Sequence, residues 1–219
     1  MRIIIMNKVL CIFPQEQTTS FLQPVYDMLV GMGAEGFNHN TVESDEDLQS
    51  ILHGQINESD MAIVLCHGCS TCLYGTQSES GFDGNELLSG NDLSLLRGRP
   101  LILFSCNSAE LARNNKYSSS VVFGLIPSTI YETQKVEFHK LPIKDLDETD
   151  VEVIQQSLAR VWLRTLAQSG LEDLRYFCDT FCFFLDVEIG NILINRPTNH
   201  FRILADVLFY IKKDTDYID

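Results

Sequence analysis

Two apolar runs of this chain end in side chains that can make and break bonds. Residues 62–66 (AIVLC) lead into His67 and Gly68; residues 101–105 (LILFS) lead into Cys106, 39 positions beyond the histidine and followed by Asn107, Ser108 and Ala109. A cysteine attacks a carbonyl as its thiolate, a form favoured by a nearby imidazole and by the amino end of a helix. Residues 106–113 have helix-forming composition, which predicts such an end at Cys106. Gly68 has no Cβ, so its N–H can approach a substrate oxygen closely, and with the N–H of Cys106 it forms a candidate oxyanion hole. His67 then serves as the general acid that protonates a leaving amine. The expected catalytic pair is His67 and Cys106.

A sheet edge must hold these residues together. Residues 2–13 are rich in Ile, Val and Leu and are ended by Pro14; with residues 60–66, 101–105 and 119–123 they read as buried strands. Residues 21–32 repeat apolar positions at helical spacing up to Gly33. Ser44 is placed to cap a second helix with Leu48, Ile51, Leu52 and Ile56 on its inner face. Alternating strands and helices predict an α/β fold, a mostly parallel sheet covered on both faces. In such a sheet ligands bind at the carboxyl ends of the strands, where His67 and Cys106 would meet. Residues 68–90 read as a long Gly-, Ser- and Thr-rich loop of the functional kind.

The last third is predicted to be helical. Thr149 and Glu152 have capping-box spacing, Val151, Ile154, Leu158, Val161 and Leu166 mark one face, and Gly170 should end that helix. Two more are expected, from Leu171 to Leu185 and over residues 201–212. Trp162 and the aromatics of 177–184 read as core. A single domain is expected over 1–219, with 1–148 an α/β core and 149–219 its C-terminal helices.

Composition bounds the partners. The chain has 219 residues, 45% of them apolar, and a net charge of −14. Its mass of 24.8 kDa predicts burial of roughly 70% of the unfolded surface. The negative field disfavours direct binding to nucleic acid or to an anionic membrane. No apolar run approaches the about 20 residues of a membrane span, and Asn7 and Lys8 interrupt the apolar N-terminus, so a cytoplasmic protein is expected. Seven cysteines at irregular spacing read as reduced thiols. No cofactor or metal is expected. The competing zinc reading rests on Cys66, Cys69 and Cys72, which are spaced C-x2-C-x2-C; Cys66 should point away from His67 on its strand, and no second C-x2-C pair follows. His39, His53, His139 and His200 are expected at surface or structural positions. The acidic runs 43–47 and 145–150 read as solvated, as do Asp83, Glu86 and Glu132.

The segments AIVLCHG (62–68) and GNDLSLLRGRPLILFSCNSAELA (90–112) resemble the caspase-like cysteine peptidases, most closely their bacterial CHAT branch. VVFGLIP (121–127) is similar to the strand-and-proline segment that follows in that branch. The resemblance covers about 62–127 and implies a caspase-like three-layer fold and endopeptidase activity on a protein or peptide substrate. Its His–Cys dyad falls on His67 and Cys106, and its pocket-lining positions before the nucleophile fall on Phe104 and Ser105. Activation by a partner protein or self-association that orders residues 69–90 is expected, and the resemblance allows a role in bacterial defence. The alternative is a binding module of the same fold without turnover.

Overall fold

The computed structural model describes residues 8–37, 45–75, 86–127, 129–130, 133 and 138–219. Its strands are β1 (Val9–Ile12), β2 (Glu35–Phe37), β3 (Met61–Leu65), β4 (Cys72–Tyr74), β5 (Glu86–Ser89), β6 (Leu101–Phe104), β7 (Ser120–Val122) and β8 (Asp216–Ile218). Its α-helices are α1 (Gln23–Gly31), α2 (Asp45–Glu58), α3 (Ser108–Asn115), α4 (Glu148–Ser169), α5 (Leu174–Asn195) and α6 (Phe201–Lys213). Six strands form the main sheet in the order β2-β1-β3-β6-β7-β8, parallel throughout except for the antiparallel β7–β8 pair.

Side chains of a strand alternate between faces, and here the alternation divides the core in two. Leu10, Ile12, Ala62, Val64, Leu101, Leu103 and Val122 pack with Leu48, Leu52 and Ile56 of α2 and Leu111 of α3. Cys11, Ile63, Leu65, Ile102, Phe104 and Val121 pack instead with Val25 and Leu29 of α1 and with Trp162, Phe177, Phe181 and Leu208 of the C-terminal helices. The result is a three-layer α/β fold with its parallel sheet in the middle. No described helix is long and apolar enough to cross a membrane.

Several boundaries differ from expectation. Residues 2–7 of the first expected strand and the cap Ser44 lie outside the described residues. Ile51 of α2 is 44% exposed, so the inner stripe is Leu48, Leu52 and Ile56. Part of the expected 68–90 loop is an antiparallel β4–β5 hairpin. The C-terminal third is not wholly helical, because β8 returns to the main sheet. Of the aromatics at 177–184, Phe177 and Phe181 are buried while Phe183 is exposed.

The capping box of α4 lies two residues before the expected Thr149–Glu152 pair. Asp147 accepts from the Asp150 N–H and the Asp150 carboxylate accepts from the Asp147 N–H, each at 3.0 Å. Asp150 is therefore buried rather than solvated, and its Oδ2 lies 2.6 Å from His200 Nδ1. The hydrogen bond to Asp150 raises the His200 pKa against a smaller effect of desolvation. Burial would raise the Asp150 carboxyl, but bonds from Thr198, the Asp147 amide and His200 hold it below its ordinary value. A raised histidine stabilises the fold below its unfolded pKa and loses that contribution as pH climbs through the folded value; a depressed carboxyl loses its contribution on acidification. Thermal melts should therefore show stability falling as pH rises above about 6.5, and His200→Gln should flatten that alkaline limb.

Candidate active site

Strands β3 and β6 are parallel neighbours, and Leu65 stands opposite Phe104. His67 and Cys106 each lie two residues beyond that pair, at the carboxyl rim of the sheet. Both line one small cavity of about 20 Å3, together with Thr19, Phe21, Leu22 and Ile126. That volume is about one water molecule. The structure thus brings the two predicted residues to the same place, with His67 5% and Cys106 8% exposed.

The turn after β1 supports the imidazole. His67 Nε2 lies 2.6 Å from Thr18 Oγ1 and 3.4 Å from Glu16 Oε2, and the Thr18 hydroxyl donates to the same Glu16 carboxylate. With its hydroxyl proton directed at Glu16, Thr18 Oγ1 accepts from His67, which assigns the ring proton to Nε2. Burial would raise the Glu16 carboxyl, yet hydrogen bonds from His67 and Thr18 hold it below the ordinary carboxylate range.

Cys106 is held by the segment after β7. Ile126 N–H donates to its sulfur at 3.3 Å, and the thiol donates to the Ile126 carbonyl at 3.4 Å. The cysteine precedes α3 instead of opening it: Asn107 is the cap, in the left-handed region at φ 56°. Three amides around that helix start are already taken. Asn107 N–H bonds Gly124 O at 2.8 Å, Ser108 N–H bonds Ser105 O at 3.4 Å and Ala109 N–H bonds Phe123 O at 3.0 Å. The anchoring donor to sulfur is therefore Ile126, in place of the expected helix end.

Gly68 pairs with Leu73 across a tight turn. The two hydrogen bonds of that pairing run from Cys69 N–H to Cys72 O and from Tyr74 N–H to His67 O, each at 2.9 Å, so the Gly68 amide takes no part in them. The space is tight, because a Cβ would stand 3.0 Å from both Ser105 Cβ and Oγ and 3.3 Å from Cys72 O, so a larger residue needs those neighbours to give by a few tenths of an ångström. Ser105 Oγ is buried with no hydrogen-bond partner among the described residues, the kind of orphan that marks a ligand position. Phe104 lines the cavity, but its ring is packed edge-on against Phe123 and Trp162 at 4.9 and 5.4 Å between centroids. It is a rigid wall of the core.

Glu16, Thr18 and Ile126 were not among the sequence candidates. The available signal was positional: residues following β1 and β7 reach the same carboxyl rim as those following β3 and β6. Other candidates are occupied elsewhere. His53 faces Asp92 at 3.5 Å, His139 faces Asp214 at 2.6 Å and His200 faces Asp150. Glu86 is exposed at the start of β5, while His39, Asp83 and Glu132 lie outside the described residues.

The three zinc-candidate cysteines diverge. Cys66 packs into the α2–α3 side of the core and its thiol donates to His67 O at 3.0 Å, whereas Cys69 and Cys72 pair with each other at 3.1 Å. Among the described residues no three His, Cys, Asp or Glu form a metal-holding group. All seven cysteines are free thiols. A larger open cleft of about 600 Å3, lined by Asp147, Arg196 and His200, includes neither His67 nor Cys106. Compared with known proteins, the chain matches no family model and no curated protein.

Proposed function

We propose that this chain is a caspase-like cysteine endopeptidase. The observation that carries the reading is the side-by-side placement of His67 and Cys106 on adjacent parallel strand ends, lining one cavity. The Cys106 thiolate, kept in place by the Ile126 N–H, attacks the peptide carbonyl. The Gly68 and Cys106 amides receive the oxyanion, with Ser105 Oγ beside them. His67 takes the proton that the Cys106 thiol gives up and passes it to the leaving amine, and water then releases the acyl group from sulfur.

A cavity of that size holds no peptide, so substrate entry requires its lining, which includes Phe21 and Leu22, to open. This is where an activating protein partner or self-association acts in our reading. A chain that cleaves substrate at full rate in isolation would remove that part. The dyad itself is tested with a thiol-directed activity probe in a Cys69→Ser background, which removes a competing thiol. Labelling that disappears in Cys106→Ala supports the protease; equal labelling of both favours a non-cleaving binding module.

Glu16 is a positioning residue in this scheme, acting through His67. Glu16→Gln should lower kcat about ten-fold, a fraction of what general acid–base catalysis supplies, with KM and thermal stability unchanged. Glu16→Asp should recover part of the loss. A fall in stability without a change in the pH profile of kcat would reduce Glu16 to a structural role.

A further inference from the structure

The peptidase reading leaves a second thiol pair unused. Cys69 and Cys72 lie at the two ends of the turn after Gly68, with their sulfurs 3.1 Å apart. A disulfide needs about 2.05 Å between sulfurs, so closure asks the two sulfurs to approach by about one ångström. The turn is fixed from both sides, by the Cys69 N–H to Cys72 O bond and by the pairing of Cys72 with Ser89 in the β4–β5 hairpin.

The two thiols differ in access. Cys69 is partly exposed, and Cys72 is buried beneath it. The Cys69 sulfur also collects donors: the Thr71 N–H at 3.5 Å, the Thr71 hydroxyl at 3.3 Å and the Tyr74 hydroxyl at 3.6 Å. These are the partners a thiolate wants. An accessible, stabilised thiolate over a shielded second thiol is the arrangement of an attacking and a resolving cysteine.

We propose that Cys69 and Cys72 form a thiol–disulfide exchange site for small-molecule disulfides of the glutathione class, Cys69 attacking and Cys72 resolving. The Cys69 thiolate displaces one thiolate from the reagent and forms a mixed disulfide. The released thiolate takes the Cys72 proton. Cys72 sulfur then attacks Cys69 sulfur and expels the second thiolate, which is protonated from water. The chain is oxidised by two electrons and the reagent is reduced to two thiols. The site stands whether or not Cys106 cleaves peptides.

Desolvation alone would raise Cys69, yet the hydrogen bonds from Thr71, Cys72 and Tyr74 bring it down to about 7. Burial pushes Cys72 up to about 11, with Cys69 and the Glu86 carboxylate adding to the rise. At pH 7 the larger thiolate fraction of Cys69, offset by its lower intrinsic nucleophilicity, makes it about three-fold faster than an ordinary cysteine.

The test treats the reduced full chain with oxidised glutathione at pH 7, quenches with acid and weighs the intact protein. Wild type is expected to lose two hydrogens and keep no adduct. Cys72→Ala should retain one glutathione and Cys69→Ala neither change; Cys106, on the separate tryptic peptide of residues 98–113, is followed by mapping. A wild type that keeps a glutathione on Cys69, or a Cys69→Ala protein that still forms the internal bond, overturns the proposal. Alkylation of wild-type Cys69 by iodoacetamide adds a check that needs no variant: its rate should rise with a midpoint near pH 7, and a midpoint at the ordinary thiol value would count against the site.

Discussion

Cys106→Ala is expected to abolish peptide turnover, with a loss of at least about a thousand-fold, while the folded state persists. Removing a covalent nucleophile leaves only the binding and oxyanion contributions, which cannot form the acyl intermediate. The structural cost is modest, because the lost thiol leaves the Ile126 N–H and carbonyl without their sulfur partner, at about 1–3 kcal/mol. Activity and stability should therefore separate. Steady-state cleavage of a peptide library, paired with thermal melts, reads both. Turnover that survives in a well-folded Cys106→Ala protein would end the dyad assignment, and a protein that fails to fold would require Cys106→Ser as the decisive variant.

The largest stability loss is expected at Trp162. Its indole is fully buried, with ring centroids 5.4 Å from Phe104, 5.3 Å from Phe177 and 5.7 Å from Phe181. Truncation to Ala should cost about 3–5 kcal/mol, a large share of the roughly 5–15 kcal/mol typical of a whole domain. Trp162→Phe should cost less than about 1.5 kcal/mol. It keeps an aromatic ring and removes an indole N–H that has no partner among the described residues. The two values come from urea titration. Because Phe104 sits two residues before Cys106, the Ala variant should also lose turnover before it loses its fold. An Ala variant as stable as wild type would show that this aromatic cluster does not hold β6 in place.

The parts legible in the sequence were those with long-range repetition. Residues 61–66 and 101–104 are buried on both faces, so an unbroken apolar run announced each strand, and the reactive residues at their ends followed from the rule for parallel sheets. Short elements gave no such signal. Leu73 and Tyr74 in β4 and Asp216 to Ile218 in β8 are too few to show a period, and their pairing is decided by tertiary contact. The α4 cap slipped because Asp147 and Asp150 compete with Thr149 and Glu152 for the same role, and the aspartate pair also satisfies His200. At the site, Ile126 acts through its backbone, which side-chain identity cannot reveal. Glu16 and Thr18 act from a turn whose direction is set only once Phe21, Leu22 and α1 pack on the sheet.

The antiparallel β8 has a further consequence. It covers the outer side of β7, pairing Ser120 with Ile218 and Val122 with Asp216, while Arg175 lies over the Tyr217 ring at 4.7 Å. The apolar border of Val121 and Val122 is thereby covered, and the outer strand is instead a three-residue one that begins at Asp216 and is followed by Asp219. Such a strand is a poor template for strand addition. A short, charged edge strand on that flank disfavours edge-to-edge stacking of copies of the chain.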